Sequence, residues 1–76
     1  MKKKLSELKP GQSGIITEFV TSEIELKLME MGCVPGENIL VEKIAPMGDP
    51  ISVSVAGYVL SLRLNEAELI EVYINN

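Results

Sequence analysis

Apolar and polar positions alternate most regularly in Ile51-Ser52-Val53-Ser54-Val55, with Ile51, Val53 and Val55 on one side and Ser52 and Ser54 on the other. A period of two marks a strand with one buried face. Ala56-Gly57 turns the chain, and residues 58–63 return as the second strand of a hairpin. Residues 14–20 read as an earlier strand, with Ile15, Thr17 and Phe19 on one face and Ile16, Glu18 and Val20 on the other. Apolar residues on both faces predict a strand partly covered on both sides. Residues 38–44 form another strand, and the loop 45–50 follows, marked by Pro46, Gly48 and Pro50. Ile70, Val72 and Ile74 alternate as a final strand, before a polar end at Asn75-Asn76.

The period changes between these strands. Ile24, Leu28 and Met31 fall on one helical face, which predicts a core side, while Leu26 and Met29 lie roughly opposite. Ser22-Glu23-Ile24-Glu25 has the form of a capping box, with Ser22 at the N-cap and Glu25 at N3. The helix it opens runs to about Met31. Leu5-Ser6-Glu7-Leu8 makes one helical turn that presents Leu5 and Leu8 to the core, and Pro10-Gly11 ends it. Asn65-Glu66-Ala67-Glu68 repeats the N-cap pattern over a single turn.

The helix ends in a corner built by Leu28, Gly32, Cys33, Pro35 and Gly36. Gly32 stands where a helix C-terminus swings to positive φ, which places Cys33 back against Leu28. Val34-Pro35-Gly36-Glu37 fits a type II turn, because proline presets φ at its second position and glycine supplies positive φ at its third. Five short strands and one proper helix predict a mainly β fold: a small, strongly bent antiparallel sheet. Such a sheet hides its edges by curling into a partly open barrel, with the helix over one end.

Composition narrows what this domain does. The chain has 76 residues, one cysteine and no histidine, so we expect a single domain spanning 1–76 without an internal disulfide. Apolar residues make up 46% and aromatic residues 4%, which makes the core aliphatic. The net charge of −4 disfavours nucleic acid as a partner, since that affinity rests on neutralising phosphates. Lys2-Lys3-Lys4 reads as a solvated basic head. No apolar run approaches the ~18 residues of a membrane span, and no long apolar core follows the head as in a secretory signal. The expectation is a cytoplasmic protein that does not insert into membrane.

Candidate chemistry is sparse. Without histidine the commonest general base is missing, and the serines have nothing to activate them. Packed on Leu28, Cys33 is an inert thiol. Gly11-Gln12-Ser13-Gly14 lacks the lysine of a phosphate loop. The glutamates are scattered and match no calcium loop. These features argue against an enzyme, a metal site and a bound cofactor. Phe19, Tyr58 and Tyr73 are too dispersed to line a groove for proline-rich peptides or to stack bases. Leu26 and Met29, with Met47 at a loop tip, remain as exposed apolar surface for a partner or for weak self-association.

Several stretches, in order, carry a resemblance. They are Leu5, Leu8 and Gly11; residues 27–36; Ala45-Pro46-Met47-Gly48-Asp49-Pro50-Ile51; Leu62-Arg63 with Glu66-Ala67; and Ile70-Glu71-Val72. Together they resemble the FeoA family of bacterial ferrous iron uptake. The family pattern usually has arginine at the place of Lys27 and leucine at that of Cys33. The resemblance implies an SH3-like barrel and an accessory or regulatory role toward FeoB, the membrane GTPase that carries ferrous iron. On that basis Leu26, Met29, Met47 and Asp49 are expected to line or flank the docking face. A local backbone bond from Asp49 is the alternative for that loop. Two other roles stay open: a ferrous-iron carrier, and a peptide-binding domain like those at the C-terminus of iron- and manganese-dependent repressors.

Overall fold

The structure, a computed structural model, describes residues 1–74, so the polar end at Asn75-Asn76 lies outside the described residues. The chain runs β1 (Lys2–Lys4), a 3-10 turn (Leu5–Glu7), β2 (Ser13–Phe19), α1 (Glu25–Glu30), β3 (Asn38–Ile44), β4 (Ile51–Val55), β5 (Tyr58–Leu62), α2 (Leu64–Ala67) and β6 (Ile70–Tyr73). The strands form one six-stranded sheet in the order β1-β6-β2-β3-β4-β5. Every neighbouring pair is antiparallel. The row is open, with β1 at one edge and β5 at the other.

Alternation in β4 translates directly into packing. Ile51, Val53 and Val55 are buried, as are their neighbours Ile39 and Val41 on β3. Leu5 and Leu8 enter the same core from the 3-10 turn, and Leu28 enters from α1. Ile24 and Met31 pack against it partly buried, so the predicted core face of the helix is the observed one. Among the described residues the core holds no polar or charged side chain.

Strand β2 departs from strict alternation. Its register against β6 shifts between Ile16 and Glu18, a bulge that adds one residue to the strand. Ile16, before the bulge, is fully buried, and Phe19, beyond it and expected on the opposite face, therefore also packs on the core. Ile15 and Val20 are left exposed. Gly14 lies tight against β6: a Cβ there would sit 2.9 Å from the Tyr73 carbonyl oxygen.

Three expectations need correction. The lysine head is strand β1, paired with β6. Glu18 and Glu71 face each other across β2 and β6, and Lys2 Nζ lies 2.6 Å and 3.6 Å from their carboxylates. A cation over two facing carboxylates relieves their repulsion, and this holds the segment to the sheet. The second correction concerns α1, whose N-cap is Ile24, with no side-chain cap bond. The Glu23 N–H instead donates to Thr21 Oγ1 at 3.0 Å, so the box at Ser22 does not form. The third is α2, which starts at Leu64 and not after Asn65. Its Arg63 N–H donates to Glu66 Oε1 at 2.8 Å.

Candidate docking site

The corner after α1 fixes the site. Gly32 has φ +102, and Gly36 has φ +98. The Cys33 N–H donates to Leu28 O at 2.9 Å and the Gly32 N–H to Met29 O at 3.0 Å, the two bonds of a Schellman motif. The Glu37 N–H closes the following turn on Val34 O at 3.0 Å. That turn is stitched to β2 at Ile16, by Gly36 N–H to Ile16 O at 2.7 Å and Ile16 N–H to Glu37 O at 2.9 Å. A Cβ on Gly32 would lie 3.7 Å from the Ala56 Cβ. The corner therefore rests on the β4–β5 turn and sets the last turn of α1 beside the start of β5.

A groove of ≈ 390 Å³ opens there, lined by Met29, Glu30, Met31, Gly32, Tyr58 and Leu60. Beside it Leu26 is 69% exposed and Tyr58 66%, while Val59, 71% exposed, projects from the opposite face of β5. Leu26 and Met29, one helical turn apart, share one exposed side of α1. The structure thus brings two of the four expected docking residues, Leu26 and Met29, beside β5, whose exposed Tyr58 and Val59 are not among the expected ones. Their signal was the unbroken apolar run Tyr58-Val59-Leu60, which must place an apolar side chain on each face of its strand.

Met47 and Asp49 lie elsewhere. They belong to the loop at the Ile51 end of β4, whereas the groove adjoins the Val55 end, roughly 13 Å away at the rise of a strand. Met47 is almost wholly exposed. The Asp49 carboxylate accepts the Leu64 N–H at 3.0 Å and so closes the N-terminus of α2 from a distant loop.

One ion pair fastens α1 to α2: Lys27 Nζ lies 3.1 Å from Glu66 Oε2. The Arg63 N–H and then Lys27 hold the Glu66 carboxyl below the usual carboxylate range. The Arg63 N–H meets Oε1 and Lys27 meets Oε2, so the two carboxylate oxygens have separate partners. Beneath this pair, burial pushes the Cys33 thiol up to about 11, with a smaller contribution from the Glu66 charge. It is a neutral core side chain at ordinary pH. Among the described residues no three or more His, Cys, Asp or Glu side chains group as metal ligands. No helix of the described residues is long and apolar enough to cross a membrane.

Comparison with known proteins gives concordant results. The model of the FeoA domain matches residues 3–74. The Fe(2+) transport protein A/Fe(2+) transporter FeoB fusion protein of Porphyromonas gingivalis is 37% identical over 70 residues, which cover 91% of this chain and 8% of that relative. The chain thus corresponds to a small part of that protein. The solution structure of the FeoA protein from Chlorobium tepidum superposes with a TM-score of 0.88 at 41% identity, covering 97% of this chain and 71% of that one. The crystal structure of Stenotrophomonas maltophilia FeoA in complex with zinc, described as a prokaryotic SH3 domain protein, gives a TM-score of 0.73 at 26% identity, covering 96% of each chain. The open six-stranded sheet is accordingly a mainly β, SH3-like fold.

Proposed function

The chain belongs to the FeoA domain family, and from that premise we propose that it is a non-enzymatic accessory protein of ferrous iron uptake that docks on a FeoB-type transporter from the cytoplasm. The observation that carries this reading is the Porphyromonas relative, in which transport protein A and the transporter FeoB are one fusion protein. Two functions joined in one polypeptide work at high effective concentration. As a separate chain, the same domain needs a surface that recovers this proximity. The surface best fitted to that task is the groove between α1 and β5 with Leu26, Met29 and Tyr58 around it, next to the β5 edge whose opposite face carries the exposed Val59.

Pull-down of full-length FeoB in nanodiscs by this protein, with and without guanine nucleotide, tests the proposal. Binding that changes with nucleotide supports a regulator of the transporter's GTPase. Absence of binding in both states contradicts the reading.

A further inference from the structure

We propose that the outer edge of β5 receives an extended segment of the transporter as an added strand, with one large apolar side chain of that segment seated in the groove beside Met29, Met31 and Leu60. This rests on the docking function above and specifies how the contact is made.

The β4–β5 turn sets which backbone groups are free. Ala56 and Gly57 both have positive φ, at +52 and +82, as a two-residue hairpin turn of type I′ requires. The residues flanking such a turn, Val55 and Tyr58, exchange hydrogen bonds, and bonded pairs then alternate along the ladder. Leu60 with Val53 and Leu62 with Ile51 are the next bonded pairs, in a register without a bulge. The N–H and C=O groups of Val59 and Ser61 therefore point away from β4. Among the described residues none of them takes part in the backbone bonds that link the elements, and β5 ends the sheet.

The two edges are treated differently. Edge strand β1 is Lys-Lys-Lys, the kind of charge that keeps other strands from pairing. Edge strand β5 is Tyr-Val-Leu-Ser-Leu, without a charge or a proline. An unguarded edge bearing exposed Tyr58 and Val59 is shaped to be paired.

The edge and the groove together define the chemistry of the occupant. Residues of an incoming strand opposite Val59 and Ser61 complete the backbone bonds. The residue between them stands opposite Leu60 and directs its side chain to the groove face. Glu30 is the one charged residue lining the groove, and it belongs to none of the ion pairs among the described residues. A Lys or Arg two positions from the apolar residue, on the same face, would meet it. The fitting segment is uncharged where it crosses Val59 and Ser61, apolar opposite Leu60, and basic two residues away.

Residue-resolved amide hydrogen exchange of the protein, alone and with full-length FeoB in nanodiscs, tests this. Strand addition slows the Val59 and Ser61 amides by roughly tenfold or more, while Leu60 and Leu62, already bonded to β4, change little. A chain synthesised with an N-methyl group on the Val59 amide, which removes one outward donor, binds FeoB roughly tenfold more weakly with thermal unfolding unchanged. Slowing confined to α1 would leave docking intact and overturn strand addition. Slowing at Val59 and Ser61 that appears without FeoB, and grows with protein concentration, would make a second copy the occupant and overturn the proposal. Absence of FeoB binding would bring down the docking function, and this inference with it.

Discussion

Asp49 caps α2 across 15 residues of chain, its carboxylate taking the Leu64 N–H at 3.0 Å. The bond anchors the loop that carries Met47 to the helix that holds Glu66, and Glu66 in turn pairs with Lys27 on α1. Position 49 therefore serves the fold. Asp49→Ala should lower stability by about 1 kcal/mol, as loss of a capping side chain does. Asp49→Asn, which keeps an acceptor, should cost less, and FeoB binding should survive in both. Chemical denaturation and a binding titration check these outcomes.

Gly32→Val should destabilise the protein by about 2 kcal/mol, because a β-branched residue is forced to positive φ. The added side chain also meets Ala56, whose Cβ is already 3.7 Å from the ideal Cβ position. Thermal unfolding of the variant beside a surface control gives the difference. An unchanged midpoint would remove the corner from the account of the site.

Gly14→Ala should cost about 2 kcal/mol by overpacking. The new methyl would lie 2.9 Å from the Tyr73 carbonyl oxygen and 3.2 Å from the Val72 Cβ. The nearest atom is backbone, so β2 and β6 must separate to admit it. Faster amide exchange along both strands is the accompanying signature.

Two groups make stability depend on pH in opposite ranges. The folded-state Glu66 carboxyl is lowered by the Arg63 N–H and Lys27. Its contribution is present above the ordinary carboxylate range and is lost as pH falls through the folded value. Glu66→Gln should flatten the acid limb of the stability profile. The Cys33 thiol is raised by burial from 9.0 to about 11. The unfolded chain therefore loses that proton first, and stability falls as pH climbs from about 9 toward 11. Cys33→Ala should remove that alkaline decline. In the native protein the thiol should resist alkylating reagents at pH 8 and react once denaturant is added.

Local chemistry made much of the fold legible. The alternation of Ile51, Val53 and Val55 fixed a buried strand face, and Gly32 and Gly36 fixed the corner, because each signal is complete within a few residues. Strand β1 carries no such signal. Three lysines have no period, and they extend because β6 pairs with them and because Glu18 and Glu71 need a cation. The cap of α2 was hidden for a similar reason: its acceptor comes from Asp49, in a loop remote in sequence. Half of the candidate site could be read from the helical spacing of Leu26 and Met29. The run Tyr58-Val59-Leu60 signals apolar side chains on both faces of its strand but not that the strand is an edge, since that depends on the order of all the strands.

The most direct test of the docking face is the affinity of FeoB for the double variant Leu26→Glu, Met29→Glu, measured beside Met47→Glu. Leu26 and Met29 are exposed in the free protein, so the double variant should keep its thermal stability. The account predicts that it loses affinity by roughly tenfold or more, whereas Met47→Glu, at the far end of β4, binds as the parent does. Unchanged affinity in the double variant, with the fold intact, would contradict it.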